Sequence, residues 1–386
     1  MKNKYVVSFL FFITTFIVYY LIFQEPRTWY DHYLHLAKSF MVGRIDVPTL
    51  PEFYHDRVVI AGKVYLPFPP MPAAILIPLM SLYSKITQQQ ASILIGSLDV
   101  ALMYLLLLEY VKPRKSLLLT IFFGFGTVHF WASVVGTTWY FAHVVATFFI
   151  ILAIISHLKK RDFLAGVLLS LAVLSRLPMF MAIVFFVLQL KKDRSRLGRF
   201  LAGALLVVPI MLYYNWIRFD NIFTSGYVEV YRSYVNTNYP YTILQVIKPG
   251  FPYFGYLDPR NIPLHLLTFL AIPPVIKNSL LQPLPYGMGI IFTSPLLVLA
   301  LIPRFKSKLE KSLIIAVLFI ALVDFMHYAQ GWVQFGYRFA LDFIVFLIII
   351  LALRYTDKKY KLYLILTITS VIVTTWGVLQ AIKLGW

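Results

Sequence analysis

The feature that most constrains the fold is the alternation of long apolar runs with short clusters of lysine and arginine. The chain has 386 residues, of which 60% are hydrophobic, and its mean hydropathy is +0.77. A water-soluble domain cannot bury that much apolar surface. The sequence therefore predicts an all-α protein that crosses a membrane several times, as one domain over 1–386 with no separate soluble domain.

The basic clusters predict the orientation of the chain. Lysine and arginine collect in cytoplasmic loops, so the clusters and the N-terminal Lys2 and Lys4 are expected on the cytoplasmic side of a cell membrane. This pattern and the bilayer headgroups account for the net charge of +19, and we expect no nucleic-acid partner. The clusters are Lys112–Lys115, Lys159–Arg161, Lys191–Arg199, Arg304–Lys311 and Arg354–Lys361.

An alternating path through these clusters gives about 11 transmembrane helices. The first has no small-x-small cleavage site after it, so we expect an uncleaved span with its N-terminus inside. The fifth and sixth helices are too short for a bilayer of about 30 Å, and are expected to leave a groove open to lipid. The expected helices cover 5–23, 91–111, 117–135, 143–158, 163–176, 178–190, 198–214, 287–302, 312–328, 338–354 and 362–381.

Two long segments, 24–90 and 215–286, remain on the outer face. Every histidine except His157 lies at or near that face, whereas the inner face is mostly lysine and arginine. Chemistry is therefore expected outside. Within the first segment, residues 71–86 are apolar but short and contain prolines, so we expect a helix at the membrane interface rather than a span.

The first outer segment begins with an expected amphipathic helix, Trp29–Val42. Asp31, His35 and Lys38 recur on one face of that helix. A carboxylate beside apolar surface is expected to have a raised pKa and to act as a general base, which makes Asp31 the candidate catalytic residue. The structural alternative is an ion pair between Asp31 and Lys38.

Asp31 and His35 are also candidates for two metal ligands one helical turn apart. A third ligand would come from elsewhere in the chain, with His143 among the candidates. The sequence has no cysteine and no compact metal-binding motif, so we expect no metal or other cofactor to be required. The possible third ligands are His55, Asp56, His129 and His143.

Two cations in the first segment flank an apolar patch next to a proline-rich stretch, Gly62–Pro72. Prolines stiffen this backbone, and Gly62 permits a turn. Arg57 and Lys63 would suit a phosphate held at the membrane surface. Snorkelling of both side chains to lipid headgroups is the alternative.

A third cation, Arg176, stands between two apolar helices. An arginine in that position is costly and is usually functional. A phosphate or pyrophosphate on a lipid would satisfy it. The alternative is a buried ion pair with Asp99 or Asp324.

Two later stretches combine aromatic, amide and charged residues. The first, Tyr213–Tyr227, resembles sugar-binding surfaces, although an interfacial aromatic belt explains it almost as well. In the second, Ala329–Asp342, Arg338 either pairs with Asp342 along a helix or points with Tyr337 into an outer cavity.

Together these elements resemble the GT-C superfamily of membrane glycosyltransferases, which includes protein O-mannosyltransferases and the lipid A aminoarabinose transferase. The resemblance spans nearly the whole chain. It is carried by an acid past the first helix (Asp31 in WYDHYLHLAKSFMVGR), a Gly-x-x-Tyr-x-x-x-Pro-Pro element (Gly62, Tyr65, Pro69, Pro70), an Arg-x-Pro pair (Arg176, Pro178), a YNxxRFxNxFxxGY-like stretch (Tyr214–Tyr227) and a GxxxFGYRFxxD-like stretch (Gly331–Asp342).

The resemblance implies a GT-C-like bundle that transfers a sugar, with inversion, from a polyprenyl-phosphate donor (dolichyl or undecaprenyl) to an acceptor on the extracytoplasmic face. The acceptor is a lipid, a glycan or a protein. Asp31 would be the base. The lipid phosphate would be bound by Arg57, Lys63, Tyr65, Arg176, Tyr337 and Arg338, and the other substrate contacts would be His35, His143, Asn215, Arg218 and Tyr227.

The sequence departs from the family pattern at two places. Many relatives have a basic residue immediately before the Pro-Pro element, where this chain has Phe68. Relatives also often carry an acid in the loop after the third helix, where this chain has GTTWYFAH (136–143), with only His143 as a titratable candidate for that role.

Two other functions fit parts of the pattern. A transporter or flippase of lipid-linked saccharide would share the cationic groove, but needs charged residues that continue to the inner face. A glycan polymerase or ligase that uses lipid-pyrophosphate donors would place its main outer loop late in the chain, as 215–286 allows.

Overall fold

A computed structural model describes residues 2–22, 29–277 and 279–385. The chain is mostly helical. Its α-helices are α1 (Lys2–Ile22), α2 (His32–Met41), α3 (Met71–Leu82), α4 (Gln88–Leu107), α5 (Pro113–Phe125), α6 (Val128–Val135), α7 (Thr138–Leu158), α8 (Asp162–Val173), α9 (Ile183–Leu190), α10 (Arg194–Phe219), α11 (Tyr227–Asn236), α12 (Ile243–Ile247), α13 (Ile262–Leu270), α14 (Ile290–Thr293), α15 (Val298–Leu301), α16 (Lys308–Met326), α17 (Leu341–Arg354) and α18 (Tyr360–Lys383).

Short 3₁₀ turns and two hairpins complete the described secondary structure. The 3₁₀ turns are Leu177–Ala182, Pro259–Asn261, Pro295–Leu297, Arg338–Ala340 and Asp357–Lys359. The antiparallel hairpins are β1 (Val58–Ile60) with β2 (Lys63–Tyr65), and β3 (Val275–Lys277) with β4 (Leu280–Gln282).

Several helices have the length and composition of membrane spans. Within the described residues, 5 helices qualify alone, and α5 with α6 would make a sixth although they meet at 51°. The protein is therefore a helical membrane protein. The remaining expected spans correspond to shorter or interrupted helices, such as α8 and the segment Leu177–Leu190. The 5 helices are α1 (Asn3–Ile22), α4, α7, α10, and α18 with its preceding turn (Asp357–Lys383).

Local signals explain where helices differ from the expected boundaries. The expected helix 117–135 breaks after α5, because the Thr127 side chain accepts a hydrogen bond from the His129 backbone N–H and starts α6 as a new helix. The expected helix 287–302 is divided near Pro295. Phe23 and residues 24–28 lie outside the described residues.

The core lies around α4, α7 and α17. In the apolar windows of α4 and α7, 72% and 78% of the residues are buried. Nearly every residue of α17 is buried although that helix is short. In the outer helices α1 and α10 only 17% and 33% of the residues in the apolar windows are buried, as expected for helices that face lipid.

Two glycines let α8 and α10 approach closely. A Cβ added at Gly166 would lie 2.1 Å from the backbone oxygen of Phe200, and one at Gly203 would lie 2.0 Å from that of Phe163. No larger side chain fits either contact without moving a helix. Close approach through small residues is a common way for helices to pack in membranes.

The first loop is the described part of the segment expected at 24–90, and its helix α2 is packed more deeply than a surface helix would be. Most residues of α2 are buried, and α2 packs against α3. The β1–β2 hairpin turns at Ala61 and Gly62, both with positive φ, which is the geometry of a type I′ turn. The turn expected at Gly62 is confirmed. The helix expected over Trp29–Val42 is present as α2, but it is packed inside the protein and not laid on the membrane surface as an amphipathic helix would be.

The two ends of the bundle differ in chemistry. Ion pairs tie helix ends together at one end: Lys115 with Asp357 (2.8 Å), Arg196 with Asp162 (2.6 Å) and Arg354 with Glu310 (2.7 Å). At the other end, the last residues of α1, α6 and α16 meet the first residues of α4 and α7 around a large cavity. This second end carries the candidate site.

Candidate functional site

The cavity has a volume of about 1130 Å³ and an aromatic wall. Its lining comes from the first loop, the start of α7, the segment after α8, residues 225–257, and the end of α16 with the loop that follows. Such a wall suits an amphipathic ligand, since aromatic rings offer flat apolar faces with polar edges. The Tyr, Trp and Phe residues that line it are Trp29, Tyr30, Trp139, Tyr140, Phe180, Tyr227, Tyr234, Tyr239, Tyr241, Tyr256, Tyr328, Trp332 and Phe339.

Asp56 is the first-loop acid that lines this cavity. Trp139 Nε1 donates to its Oδ2 at 2.7 Å, and the Tyr234 hydroxyl donates to its Oδ1 at 2.6 Å. Its φ of 56° is in the left-handed region, which is uncommon for a residue other than glycine. No lysine or arginine in the described part of the chain forms an ion pair with Asp56. Its carboxylate is thus held by neutral donors at both oxygens.

Arg338 is the complementary cation. It is only 8% exposed, and its guanidinium lies 5.9, 5.7 and 5.2 Å from the ring centroids of Trp139, Tyr140 and Phe339. Its Nε is buried without a hydrogen-bond partner, and no carboxylate among the described residues forms an ion pair with it. Arg338 lines the same cavity as Asp56, so the cavity is lined by one charge of each sign from these two residues.

A second arginine of the cavity is already paired. Arg176 contacts Asp342 at 2.8 Å and Asp324 at 3.5 Å. His143 Nδ1 lies 2.7 Å from the other oxygen of Asp342. The buried ion pair considered for Arg176 is therefore present with Asp324, although Asp342 is the closer partner, while Asp99 lies 3.1 Å from His129. Asp342 pairs with Arg176, and the alternative pair with Arg338 is wrong.

Asp31 lies beside the cavity but is not among its lining residues. The Tyr54 hydroxyl donates to Asp31 at 2.8 Å, and His35 Nε2 lies 3.4 Å from it. Burial acts to raise the pKa of Asp31, but the hydrogen bonds with His35 and Tyr54 outweigh burial and lower it. The expected raised pKa is therefore wrong. Lys38, the considered ion-pair partner, is exposed.

His32 ties the backbone next to Asp56 to the start of α7. Its Nε2 donates to the backbone oxygen of His55 at 2.8 Å, and its Nδ1 lies 2.8 Å from Thr138 Oγ1. Burial lowers the pKa of His32 to about 4, so its ring is neutral at physiological pH. This anchor fixes Tyr54, His55 and Asp56 relative to Trp139.

Asn215 and Arg218, expected to contact substrate, instead hold α10 to the first loop. Arg218 is 3% exposed, stacks on Tyr214 at 3.6 Å and donates to the backbone oxygens of Tyr214 and Leu66. Asn215 accepts from Arg218 at 3.0 Å and donates to the backbone oxygen of Ile222. With these partners, both side chains act as structural groups.

The remaining predicted phosphate contacts are dispersed. Arg57 is partly exposed, and Lys63 is exposed at the tip of the β1–β2 hairpin; neither is a lining residue. Tyr65 is buried against Phe219, and Tyr337 is buried with its hydroxyl 2.7 Å from His265 Nδ1. Of the predicted site residues, those that line the cavity are Arg176, Tyr227 and Arg338.

The metal-ligand candidates are not brought together. His143 bonds to Asp342, whereas His35 lies with Asp31 in the first loop. Among the described residues, no group of three or more His, Asp or Glu side chains is arranged to hold a metal ion.

Two residues that the sequence did not single out, Trp139 and Tyr234, hold Asp56. Asp56 itself was considered only as a possible metal ligand. The available signal was its position two residues before the hairpin strand β1, since a residue at a turn can aim its side chain away from its neighbours. Nothing local to Asp56 indicates donors on α7 and α11, which are distant in the sequence.

Comparisons of this chain with protein families, with curated proteins and with solved structures find no match. The functional argument therefore depends on the geometry of the cavity.

Proposed function

We propose that the protein is a membrane glycosyltransferase that moves a sugar from a polyprenyl-phosphate donor to an acceptor hydroxyl. The observation that carries this proposal is that one aromatic cavity is lined by two opposite charges, Asp56 and Arg338, each held by its own contacts. Among the described residues, Asp56 is an acid without a paired cation, and Arg338 is a buried cation without a paired acid. Transfer from a lipid phosphate needs both a base and an anion site.

In this proposal Arg338 binds the donor phosphate. The charge on the phosphate grows as its bond to the anomeric carbon breaks, so a fixed cation stabilises the transition state more than the bound donor. The rings around Arg338 exclude water, which strengthens that attraction. The cavity also has the aromatic surface on which a sugar ring can stack.

Asp56 acts as the general base. Its carboxylate takes the proton of the acceptor hydroxyl while the acceptor oxygen attacks the anomeric carbon. The bond from that carbon to the phosphate oxygen breaks, and the lipid phosphate leaves with the electron pair at Arg338. Attack opposite the leaving group inverts the anomeric configuration. Trp139 and Tyr234 hold both carboxylate oxygens and so orient the base.

A competing version of the same proposal has Asp31 as the base, as the family resemblance implies. Asp31 would have to reach substrate from outside the lining of the cavity, past Tyr54 and His35. Its lowered pKa also makes it a weaker base than an ordinary carboxylate. Geometry favours Asp56.

The proposal includes a topology. The cavity end would face the extracytoplasmic side, and the end with the Lys115, Arg196 and Arg354 ion pairs would face the cytoplasm with the N-terminus. A GT-C-like arrangement of about 11 crossings would follow if the shorter helices also cross the bilayer, some of them as bent or partial spans.

Purified protein in liposomes with labelled polyprenyl-phosphate hexoses and pentoses tests the proposal. We expect release of polyprenyl phosphate that depends on an acceptor and is about 10²-fold less efficient with Arg338→Gln. Movement of intact lipid-linked sugar between leaflets without release would contradict the proposal and favour a transporter. Release only from lipid-pyrophosphate donors would favour a polymerase or ligase.

A further inference from the structure

Two carboxyl groups, those of Asp324 and Asp342, surround the guanidinium of Arg176. We call these three residues the cavity floor. Asp342 receives the close contacts of Arg176, from Nη2 at 2.8 Å and from Nε at 3.1 Å, and its other oxygen lies 2.7 Å from His143. Among the described residues, the one N–H group that contacts Asp324 is Arg176 Nη2, at 3.5 Å. The side chains of Asp342 and Asp324 are 0% and 1% exposed. One guanidinium and two largely buried carboxyl groups thus lie within contact distance of one another.

The two acids differ in how their oxygens are satisfied. Both oxygens of Asp342 have a partner. Asp324 Oδ2 is buried and accepts no N–H or hydroxyl hydrogen bond from the described residues, and Asp324, unlike Asp342, lines the cavity. An unsatisfied buried carboxylate oxygen is costly, and it gains most from a ligand.

Charge balance indicates which group is protonated. One arginine neutralises one carboxylate, and a second negative charge in the same buried site would have no counter-ion. Two carboxyl groups that share a site hold a proton on one of them. Asp342 has the shorter contacts with Arg176, so the proton belongs to Asp324, which lies within hydrogen-bond reach of Asp342.

We infer that Asp324 carries a proton and is a ligand for the phosphodiester of the substrate, with its carboxyl O–H turned from Asp342 to a phosphate oxygen when substrate binds. This inference rests on the proposed function. A neutral Asp324 leaves the Arg176–Asp342 pair without net charge, so the floor does not repel an anion. An ionised Asp324 would repel it.

Other titratable and charged groups face Asp324 from the elements packed around it. They set the field in which its proton is held, and none besides Arg176 is an ion-pair partner of Asp324 among the described residues. Those that interact with Asp324 are Arg176 before the 3₁₀ turn after α8, Asp342 on α17 with His143 of α7 behind it, and Tyr337 before α17. Tyr227, His327 and Arg338 line the same cavity as Asp324, and His265 on α13 contacts Tyr337.

The test measures binding of a geranylgeranyl methyl phosphodiester to the full-length protein in nanodiscs from about pH 6 to about pH 9. This probe keeps one negative charge over that range, so its own titration does not contribute. For wild-type protein we expect binding to weaken by about tenfold or more as the pH rises and Asp324 ionises.

Asp324→Asn keeps a neutral donor of the same shape, so its binding should equal that of wild type at low pH and stay constant as the pH rises. Asp324→Leu removes the donor and should bind about tenfold more weakly than Asp324→Asn at every pH. The matched control is Glu229→Gln, which also removes one acid but on the exposed face of α11; it should follow the wild-type curve. Size-exclusion profiles verify folding.

Identical pH dependence in wild type and Asp324→Asn would overturn this inference while leaving the proposed function intact, as would unaltered binding by Asp324→Leu. Failure of wild-type protein to bind the probe at any pH would instead contradict the proposed lipid-phosphate site, and the inference with it.

Discussion

Asp31 and Asp56 lie in the same loop, and each accepts a hydrogen bond from a tyrosine, yet their surroundings differ. Tyr54 donates to Asp31 at 2.8 Å, and Tyr234 donates to Asp56 at 2.6 Å. Asp31 also has His35 at 3.4 Å and lies outside the cavity lining, whereas Asp56 is a lining residue held by neutral donors alone. Position in the loop sequence therefore does not determine which acid can reach a ligand.

The difference arises at one turn of the backbone. Tyr54 directs its side chain toward Asp31, while the left-handed conformation of Asp56 accompanies a side chain bonded to Trp139 and Tyr234. These two partners come from α7 and α11, so the site forms only when distant helices assemble. Asp31 and Asp56 both come from the loop, but of the two only Asp56 lines the cavity that the assembled helices form.

The largest effect should come from removing the base. Asp56→Asn keeps the shape and one acceptor oxygen but loses the charge, so the turnover number should fall by about 10²–10⁴-fold. The matched change Asp31→Asn should lower it less than about tenfold. Turnover of labelled donor in proteoliposomes measures both, and the reverse order of effects would assign the base to Asp31.

Replacement of Arg338 should have the next largest effect on activity. Arg338→Gln leaves the growing phosphate charge without its counter-charge, and we expect a loss of about 10²-fold in kcat/KM. Steady-state kinetics with varied donor measures the loss. A change of less than about twofold would show that the phosphate binds elsewhere, with Arg57 and Lys63 as the next residues to replace.

The two tyrosines offer a finer test. Tyr234→Phe frees one oxygen of Asp56 and should lower the turnover number by about tenfold through lost orientation. Tyr54→Phe removes the same chemical group from Asp31 and should leave turnover within about twofold of wild type. Equal effects of the two changes would contradict the separate roles given to the two acids.

The smallest effect concerns stability in acid. The pKa of Asp31 in the folded protein lies below its ordinary value of 3.8, so its hydrogen bonds stabilise the fold above that pH and are lost as the pH falls through the folded pKa. We expect Asp31→Asn to be less stable than wild type by about 1 kcal/mol near neutral pH.

This stability difference should disappear as the pH falls below about 4. Denaturant unfolding in detergent at several pH values measures it. A difference that stays constant with pH would contradict a lowered pKa for Asp31.

Much of the fold was predictable, because apolar periodicity and composition act locally. The sequence gives helices close to α1, α4, α7 and α18, and the turn at Gly62. Breaks within helices were less predictable. The apolar run over 117–135 predicts one continuous helix, whereas the Thr127 side chain caps a new helix, α6, within it.

Pairwise chemistry across the bundle was the hardest to predict. Arg176 was identified from its cost in an apolar setting, with Asp324 as a possible partner, but its closest partner, Asp342, was not. Arg218 carries the same charge as Arg338, yet backbone oxygens, Asn215 and the Tyr214 ring satisfy it. Which arginine is left for a ligand depends on the assembled structure and not on residue type.

The most direct measurement is a structure of the full-length protein with a non-hydrolysable polyprenyl phosphonate sugar. The account predicts the phosphonate within hydrogen-bond distance of Arg338, and the anomeric carbon facing Asp56 with room for an acceptor hydroxyl between them. A sugar bound at Asp31 with its phosphonate near Arg57 or Lys63 would contradict it.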